Sequence, residues 1–392
     1  MSVDSFLSSG TSPSRNRCRI AILGFGTVGS AIAARLVGAD SADLRAALEL
    51  THILDRRAVA KRRALPERSP LSAKIVWTTR FEDILASDAD IIVEAIGGID
   101  PATEWIRTAL ASGKSVVTAN KQVVAHHGPS LLALAERQGR QLRFEAAVGG
   151  AMPIVRAVSD GLAGDRLTRI VAILNGTSNA VLSRMDATGC TLPHALAEAR
   201  LQGWAEADPT VDLDGIDARA KIAVLCALGF RLRVDPTRIE ARSIAGLRPA
   251  DFDEAHRRGG TIRQVAFAAY DRARAALTAW VAPAFVSASS ILGRTVGPGN
   301  AALMTGEHAG EIGVVGAGAG GPATAVAAIG DLLTIARDRA AIVPAPVLSA
   351  PALVHGIDGD AAIVDLLDPH AEHIGLNAQS AIHDPQWLSE AV

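Results

Sequence analysis

Cysteine is scarce in this 392-residue chain: only Cys18, Cys190 and Cys226 occur. They lie far apart and fit neither a CxxC metal pattern nor a disulfide framework, so a reducing, cytoplasmic setting is expected. No excess of one charge exists either. With 39 basic against 41 acidic residues the net charge is −2, and no global field favours nucleic acid or an anionic membrane. A small-molecule partner is the default. The start, Met1 to Asn16, lacks the basic and apolar regions of a signal peptide and reads as a disordered leader. The most apolar uncharged run, Ile312 to Gly330, is interrupted by glycines and Pro322, which predicts a loop and then a helix rather than a membrane span. HExxH spacing is absent, and the adjacent His126 and His127 point different ways on a helix or a strand. No zinc chemistry is implied.

What is present is a globular composition, 49% hydrophobic and 20% charged, on a chain long enough for two packed units. Cys18 to Leu23 reads as a strand ending at Gly24, and Val28 to Leu36 as the helix after it. Further strand-like runs at Leu50 to Leu54, Ile91 to Val93, Ser115 to Thr118 and Gln141 to Ala147 alternate with helical stretches. That alternation predicts βαβ units and a parallel sheet covered on both faces. After Pro153 the pattern shifts to α+β, with a strand at Ile170 to Leu174 and helices at Thr191 to Gln202 and Asp217 to Leu228. Arg257 to Pro298 mixes helix-like and strand-like windows. Gly316 to Gly321 reads as a glycine-rich loop before a helix over Ala323 to Arg337, and the tail from Ala345 to Val392 shows no periodicity.

Gly24-Phe25-Gly26-Thr27-Val28-Gly29 satisfies GxGxxG between a predicted strand and a predicted helix, the context in which it binds a dinucleotide. The first glycine permits the turn, the second lets backbone approach a pyrophosphate, and the third lets helix pack on strand. The fold expected is therefore α/β, a Rossmann-type doubly wound parallel sheet, with a second α+β unit. Asp55 ends the second strand, where an acid would accept the ribose hydroxyls of NAD. Arg56, Arg57, Lys61, Arg62 and Arg63 crowd beside it and would suit the 2′-phosphate of NADP, or form a solvated helix face. NAD and NADP both stay open.

Six further segments, in order, resemble the homoserine dehydrogenase family: Val93 to Gly98, Val116 to Lys121, Glu145 to Pro153, Leu174 to Asn179, Ala205 to Thr210 with Asp212, Gly215, Asp217 and Lys221, and Gly316 to Gly320. The likeness spans about Arg19 to Arg337, and is faint over Arg242 to Glu311. It implies interconversion of L-homoserine and L-aspartate 4-semialdehyde, in threonine, methionine and isoleucine biosynthesis. In the family the lysine matching Lys221 donates the proton, and the one matching Lys121 lies at the substrate near the nicotinamide. Glu206 and Asp217 match substrate contacts, with Gly176 and Thr177 beside them. Gly97 and Gly318 match cofactor-contacting turns. A monovalent cation, usually sodium, is held in the family by a loop matching Glu145, Val148, Gly150 and Met152. The resemblance also implies a homodimer formed through the second unit. It divides the chain into a nucleotide-binding domain over 17–150, completed by helix 323–337, and a catalytic and dimerisation domain over 151–322. Many relatives carry a C-terminal regulatory module of the ACT type; the tail after about Val343 is short and lacks its two βα repeats. Ser178 and Ala180 depart from the Thr and the Tyr or Phe common among relatives.

The chemistry wants such residues. Aldehyde reduction needs a hydride at carbon and a proton at the oxygen turning negative, which a cationic donor supplies. Asp217 and Lys221 fall four apart on one helix face, so the acid can orient the ammonium, and a second ammonium at Lys121 would lower one of the two lysine pKa values. Glu206 would pair with the substrate ammonium. Each residue also has a plain structural reading: a surface ion pair for Asp217 and Lys221, a solvated lysine at 121, a strand-end charge at Glu145. A related enzyme such as an aspartate dehydrogenase, or a non-catalytic nucleotide sensor, would share the glycine loop; the pair of lysines speaks against the sensor.

Overall fold

The computed structural model of the chain describes residues 17–38, 42–66, 69–357 and 362–366. The leader before Arg17 and the tail beyond 366 lie outside the described residues. Six strands, β1 (Cys18–Leu23), β2 (Leu48–Leu54), β3 (Val76–Thr78), β4 (Ile91–Glu94), β5 (Ser115–Thr118) and β6 (Leu142–Arg143), form one sheet. Its order is β3-β2-β1-β4-β5-β6 and every pairing is parallel. Every residue of β4 and β5 is buried, as expected where helices cover both faces of a parallel sheet. The order reverses beside β1, and that switch point opens a crevice at the strands' carboxyl ends.

Much later in the chain, helix Gly321–Arg337 returns to this sheet. Its Ala325, Ala328, Ile329 and Leu332 share one buried cluster with Ile20, Ile22 and Ile32. Small alanines let it lie close to helix Thr27–Val37; a Cβ on Gly321 would come within 2.5 Å of Thr27 O. Each large apolar side chain in the cluster contributes about 1.5–3 kcal/mol through burial.

The expected strand over Gln141 to Ala147 is corrected: only Leu142 and Arg143 pair, and Glu145–Ala147 is a 3-10 turn. The ladder stops because the Glu145 N–H donates to Asp331 Oδ2 at 2.9 Å, on the returning helix.

The second sheet contains β7 (Leu167–Ile173), β8 (Glu240–Ala241), β9 (Gly260–Asp271), β10 (Ala276–Ser287), β11 (Gly299–Gly306), β12 (Gly310–Ala317), β13 (Leu353–His355) and β14 (Val364–Asp365). It runs β12-β11-β7-β9-β10-β13, with β8 and β14 also on β10. The ambiguous stretch from Arg257 to Pro298 is mostly the β9–β10 hairpin. Gly260 to Ala268 is buried throughout, so it lacks the alternation that marks a half-buried strand. The loop expected over Gly316 to Gly321 begins as the end of a strand, because β12 continues to Ala317 along β11. The tail expected to lack periodicity supplies β13 and β14, which are too short to show a period of two. Helix Ile216–Gly229 packs against helix Lys121–Arg137 of the first unit, and helix Gly176–Thr188 follows β7. Among the described residues no helix is long and apolar enough to cross a membrane.

Candidate active site

The glycine loop sits at the end of β1. Gly24 has φ +93°, and a Cβ there would lie 2.6 Å from Ala95 O. A Cβ on Gly26, by contrast, would meet nothing within 4 Å. No internal packing requires glycine at 26, whereas a pyrophosphate drawn up to the backbone does. Helix Thr27–Val37 starts there without a side-chain cap, so the N–H groups of Thr27, Val28 and Gly29 face an anion site. The residues therefore fit a dinucleotide.

Across the crevice, the turn after β4 holds Gly97. It is anchored by Glu94, a fully buried carboxylate that accepts Ile96 N at 2.9 Å and Thr118 Oγ1 at 2.5 Å. Asn120 Nδ2 donates to Gly98 O at 2.6 Å, which ties this turn to the start of helix Lys121–Arg137. Burial raises the Glu94 pKa against those donors. Sequence reasoning missed Glu94 and Asn120, since an acid inside an apolar strand is visible only once its donors are.

Asp55 does lie at the end of β2, but its carboxylate is occupied. It accepts Phe25 N at 2.9 Å, Arg57 N at 2.8 Å and Lys61 Nζ at 2.6 Å. Burial alone would raise its pKa; Lys61 and the backbone donors outweigh that and lower it. Lys61 also donates to Phe25 O at 2.7 Å, while Arg56 and Arg57 are exposed beside it.

Lys121, Asp217 and Lys221 come together where the two units meet. Asp217 is 1% exposed and sits in the first turn of helix Ile216–Gly229. Its Oδ1 pairs with Lys121 and its Oδ2 with Lys221 at 2.8 Å. The surface-pair reading is thereby excluded for Asp217 and Lys221. Lys221 Nζ also donates to Leu174 O at 2.7 Å. Burial, against Asp217 and with Lys121, lowers the Lys221 pKa. Lys121 is the opposite case: burial would lower its pKa, but Asp217, Asp212 and Glu206 raise it. The two lysines thus differ, the enclosed one being the better acid. Asp217 itself is held well below the carboxylate range, the two ammonium groups overcoming its burial.

Glu206 is exposed, near enough to act on Lys121 through its charge. Gly176 packs against Pro298 O and Ala319, and Thr177 Oγ1 donates to Trp204 O at 2.7 Å, which holds the segment bearing Glu206 beside the lysines. Two neighbours escaped assignment from sequence although their motifs were noticed. Asn175 Nδ2 donates to Asp212 Oδ1 at 2.7 Å and to Asp217 Oδ2 at 2.9 Å.

The loop matching the cation site packs on the end of β12, with Ala151 N donating to Ala317 O at 2.9 Å. The Glu145 carboxylate is engaged by backbone: it accepts Val155 N at 2.8 Å and Arg156 N at 2.9 Å. Burial, with Asp331 adding to it, pushes its pKa up to about 7. Met152 O accepts Ile154 N, whereas no hydrogen bond among the described residues reaches the carbonyls of Val148 and Gly150. Those two oxygens fit a hard cation. Gly318 abuts Gly150 on one side and the buried side chain of Asn300 on another.

A dinucleotide cradle that opens onto a buried acid shared by two lysines defines an NAD(P)-dependent oxidoreductase. Residues 24–145 match the family described as homoserine dehydrogenase, NAD binding domain, and residues 153–333 that described as homoserine dehydrogenase. The homoserine dehydrogenase of Mycobacterium tuberculosis is 40% identical over 325 residues, covering 82% of this chain and 72% of its own. That of Corynebacterium glutamicum is 38% identical over 323 residues, covering 82% and 72%. A homoserine dehydrogenase structure from Thiobacillus denitrificans superposes with TM-score 0.76 at 32% identity, covering 89% of this chain and 80% of that one. A hyperthermophilic archaeal homoserine dehydrogenase in complex with NADPH gives 0.69 at 28% identity, covering 84% and 100%. The chain belongs to the homoserine dehydrogenase family.

Proposed function

We propose that the chain interconverts L-homoserine and L-aspartate 4-semialdehyde with NAD(P), Lys221 moving the proton at the substrate oxygen. The observation that carries this is the cluster in which a buried Asp217 is shared by Lys121 of the first unit and the buried Lys221. When bound, the nicotinamide supplies or accepts the hydride at the carbonyl carbon. Lys221 has two of its three N–H donors committed, to Leu174 O and Asp217, and the third remains for the substrate oxygen. Its burial favours release of the proton as the alkoxide develops; in the reverse direction the neutral amine takes the hydroxyl proton. Asp217 orients the amine. Lys121, whose charge is reinforced, supplies a fixed positive potential beside the substrate. Glu206 pairs with the substrate ammonium, and Gly176 and Thr177 form the adjoining wall.

The occupied, neutralised Asp55 with exposed Arg56 and Arg57 supports NADP over NAD, since the ribose end then offers cations rather than an acid. The Val148 and Gly150 carbonyls support a sodium ion in a structural role, with Met152 and the Glu145 carbonyl completing it. The enzyme would act in the cytoplasm, as a homodimer formed through the second sheet, in threonine, methionine and isoleucine biosynthesis.

Steady-state rates with homoserine and either NADP or NAD, against oxaloacetate plus ammonia with the reduced cofactors, test reaction and cofactor choice together. Lys221→Ala should lose about 10²–10⁴-fold in kcat while cofactor binding holds. Unchanged turnover would remove Lys221 from the mechanism.

A further inference from the structure

Asn175 caps helix Gly176–Thr188, with its Oδ1 accepting Ser178 N at 2.8 Å and Ser178 Oγ at 2.9 Å. With the oxygen pinned to the helix, the amide nitrogen has one direction left. It lies between two carboxylates, 2.7 Å from Asp212 Oδ1 and 2.9 Å from Asp217 Oδ2. That Asp217 oxygen is the one holding Lys221, and Lys221 reaches back to the carbonyl of Leu174, the residue before Asn175. The short turn after β7 therefore grips both the acid and the amine.

We propose that Asn175 is a positioning residue that keeps the Asp217 carboxylate aimed at Lys221, and thereby sets the amine's proton affinity. The proposal rests on Lys221 being the proton-transfer group. Two carboxylates brought to one site repel and tend to swing apart. An amide bridging them with both N–H donors holds each in place without adding charge. Capping alone does not explain the residue, because Asp and Ser cap a helix about as well as Asn. Neither can offer two N–H donors to the carboxylates while its oxygen caps the helix.

The test uses the full chain with Asn175→Asp and Asn175→Ser, both able to cap, and kcat expressed per cofactor-binding site so that only folded protein counts. Asn175→Asp should lower kcat roughly tenfold and move the pH limb for Lys221 upward by about one pH unit, because negative charge is added beside the amine. Adding Asp212→Asn to that variant should bring the limb back. Asn175→Ser should lower kcat by a similar factor with cofactor KM unchanged. If both single variants lose thermal stability alone and keep the parent kcat and pH limb, Asn175 is only a cap and the proposal is wrong. Should Lys221→Ala retain turnover, the proton-transfer assignment itself fails, a result that the Asn175 variants do not produce.

Discussion

Asp217→Asn separates an electrostatic role for the shared acid from a steric one, since the side chain keeps its shape and loses its charge. Asp217 Oδ2 stands 2.8 Å from Lys221 Nζ. At that distance and an effective dielectric of about 20, the attraction is roughly 6 kcal/mol, which corresponds to roughly four pH units of proton affinity. The amide oxygen keeps one hydrogen bond, and Asp212 keeps its charge nearby, so the expected fall in the Lys221 pKa is on the order of two to four pH units. The sign follows from the two directions. Aldehyde reduction needs the ammonium and is lost as pH rises through its pKa, so this alkaline limb moves down. Homoserine oxidation needs the neutral amine, and its acid limb moves down equally. The assay is kcat against pH in both directions, with circular dichroism and cofactor titration to establish folding. A folded variant whose limbs stay where the parent has them would refute the electrostatic account.

Gly26→Ala should fold with its Tm nearly unchanged, because the added Cβ meets nothing within 4 Å, yet raise cofactor KM about tenfold by blocking the pyrophosphate; an unaltered KM would place the phosphates elsewhere. Lys61→Met should expose the Asp55 charge and shift the ratio of kcat/KM values from NADP toward NAD by at least about tenfold, measured with both cofactors. Glu145 is a carboxyl whose folded pKa, about 7, lies above its ordinary value. The native state thus binds the proton more tightly, and stability falls as pH rises from about 4.3 toward 7. Glu145→Gln should flatten that decline in urea unfolding at stepped pH, and an identical slope would assign the titration to another group.

The glycine loop and the parallel sheet were legible because each is local: a short apolar run, a turn residue and a helical period lie side by side from Cys18 to Leu36. Lys121, Asp217 and Lys221 were legible through resemblance, and the i,i+4 spacing of the last two placed them on one face. The state of each lysine was not, because it depends on burial and on Asp212 and Glu206, which act through space. That Asp55 already pairs with Lys61 was not legible for a related reason: in the sequence Lys61 stands among other cations that look equivalent. Glu145 read as a cation ligand by resemblance or else as a strand-end charge, and its actual donors, Val155 and Arg156, were hidden because they follow a turn with no periodic signal. The β9–β10 hairpin stayed hidden since burial on both faces erases alternation.

Lys121 begins a helix of the first unit, whereas Asp217 and Lys221 belong to the second. The acid that pairs with Lys221 within the second unit therefore also reaches Lys121 of the first, one oxygen for each. The Lys121 side chain is 36% exposed and Asp217 only 1%, so the pair is open to the crevice on the lysine side alone. Breaking it leaves Asp217 to Lys221 and removes a positive neighbour that weakens Lys221's hold on its proton. The amine is consequently the stronger acid when Lys121 is in place. The Lys221 ammonium and the contact between the two units share a single carboxylate, and substituting Lys121 should disturb both.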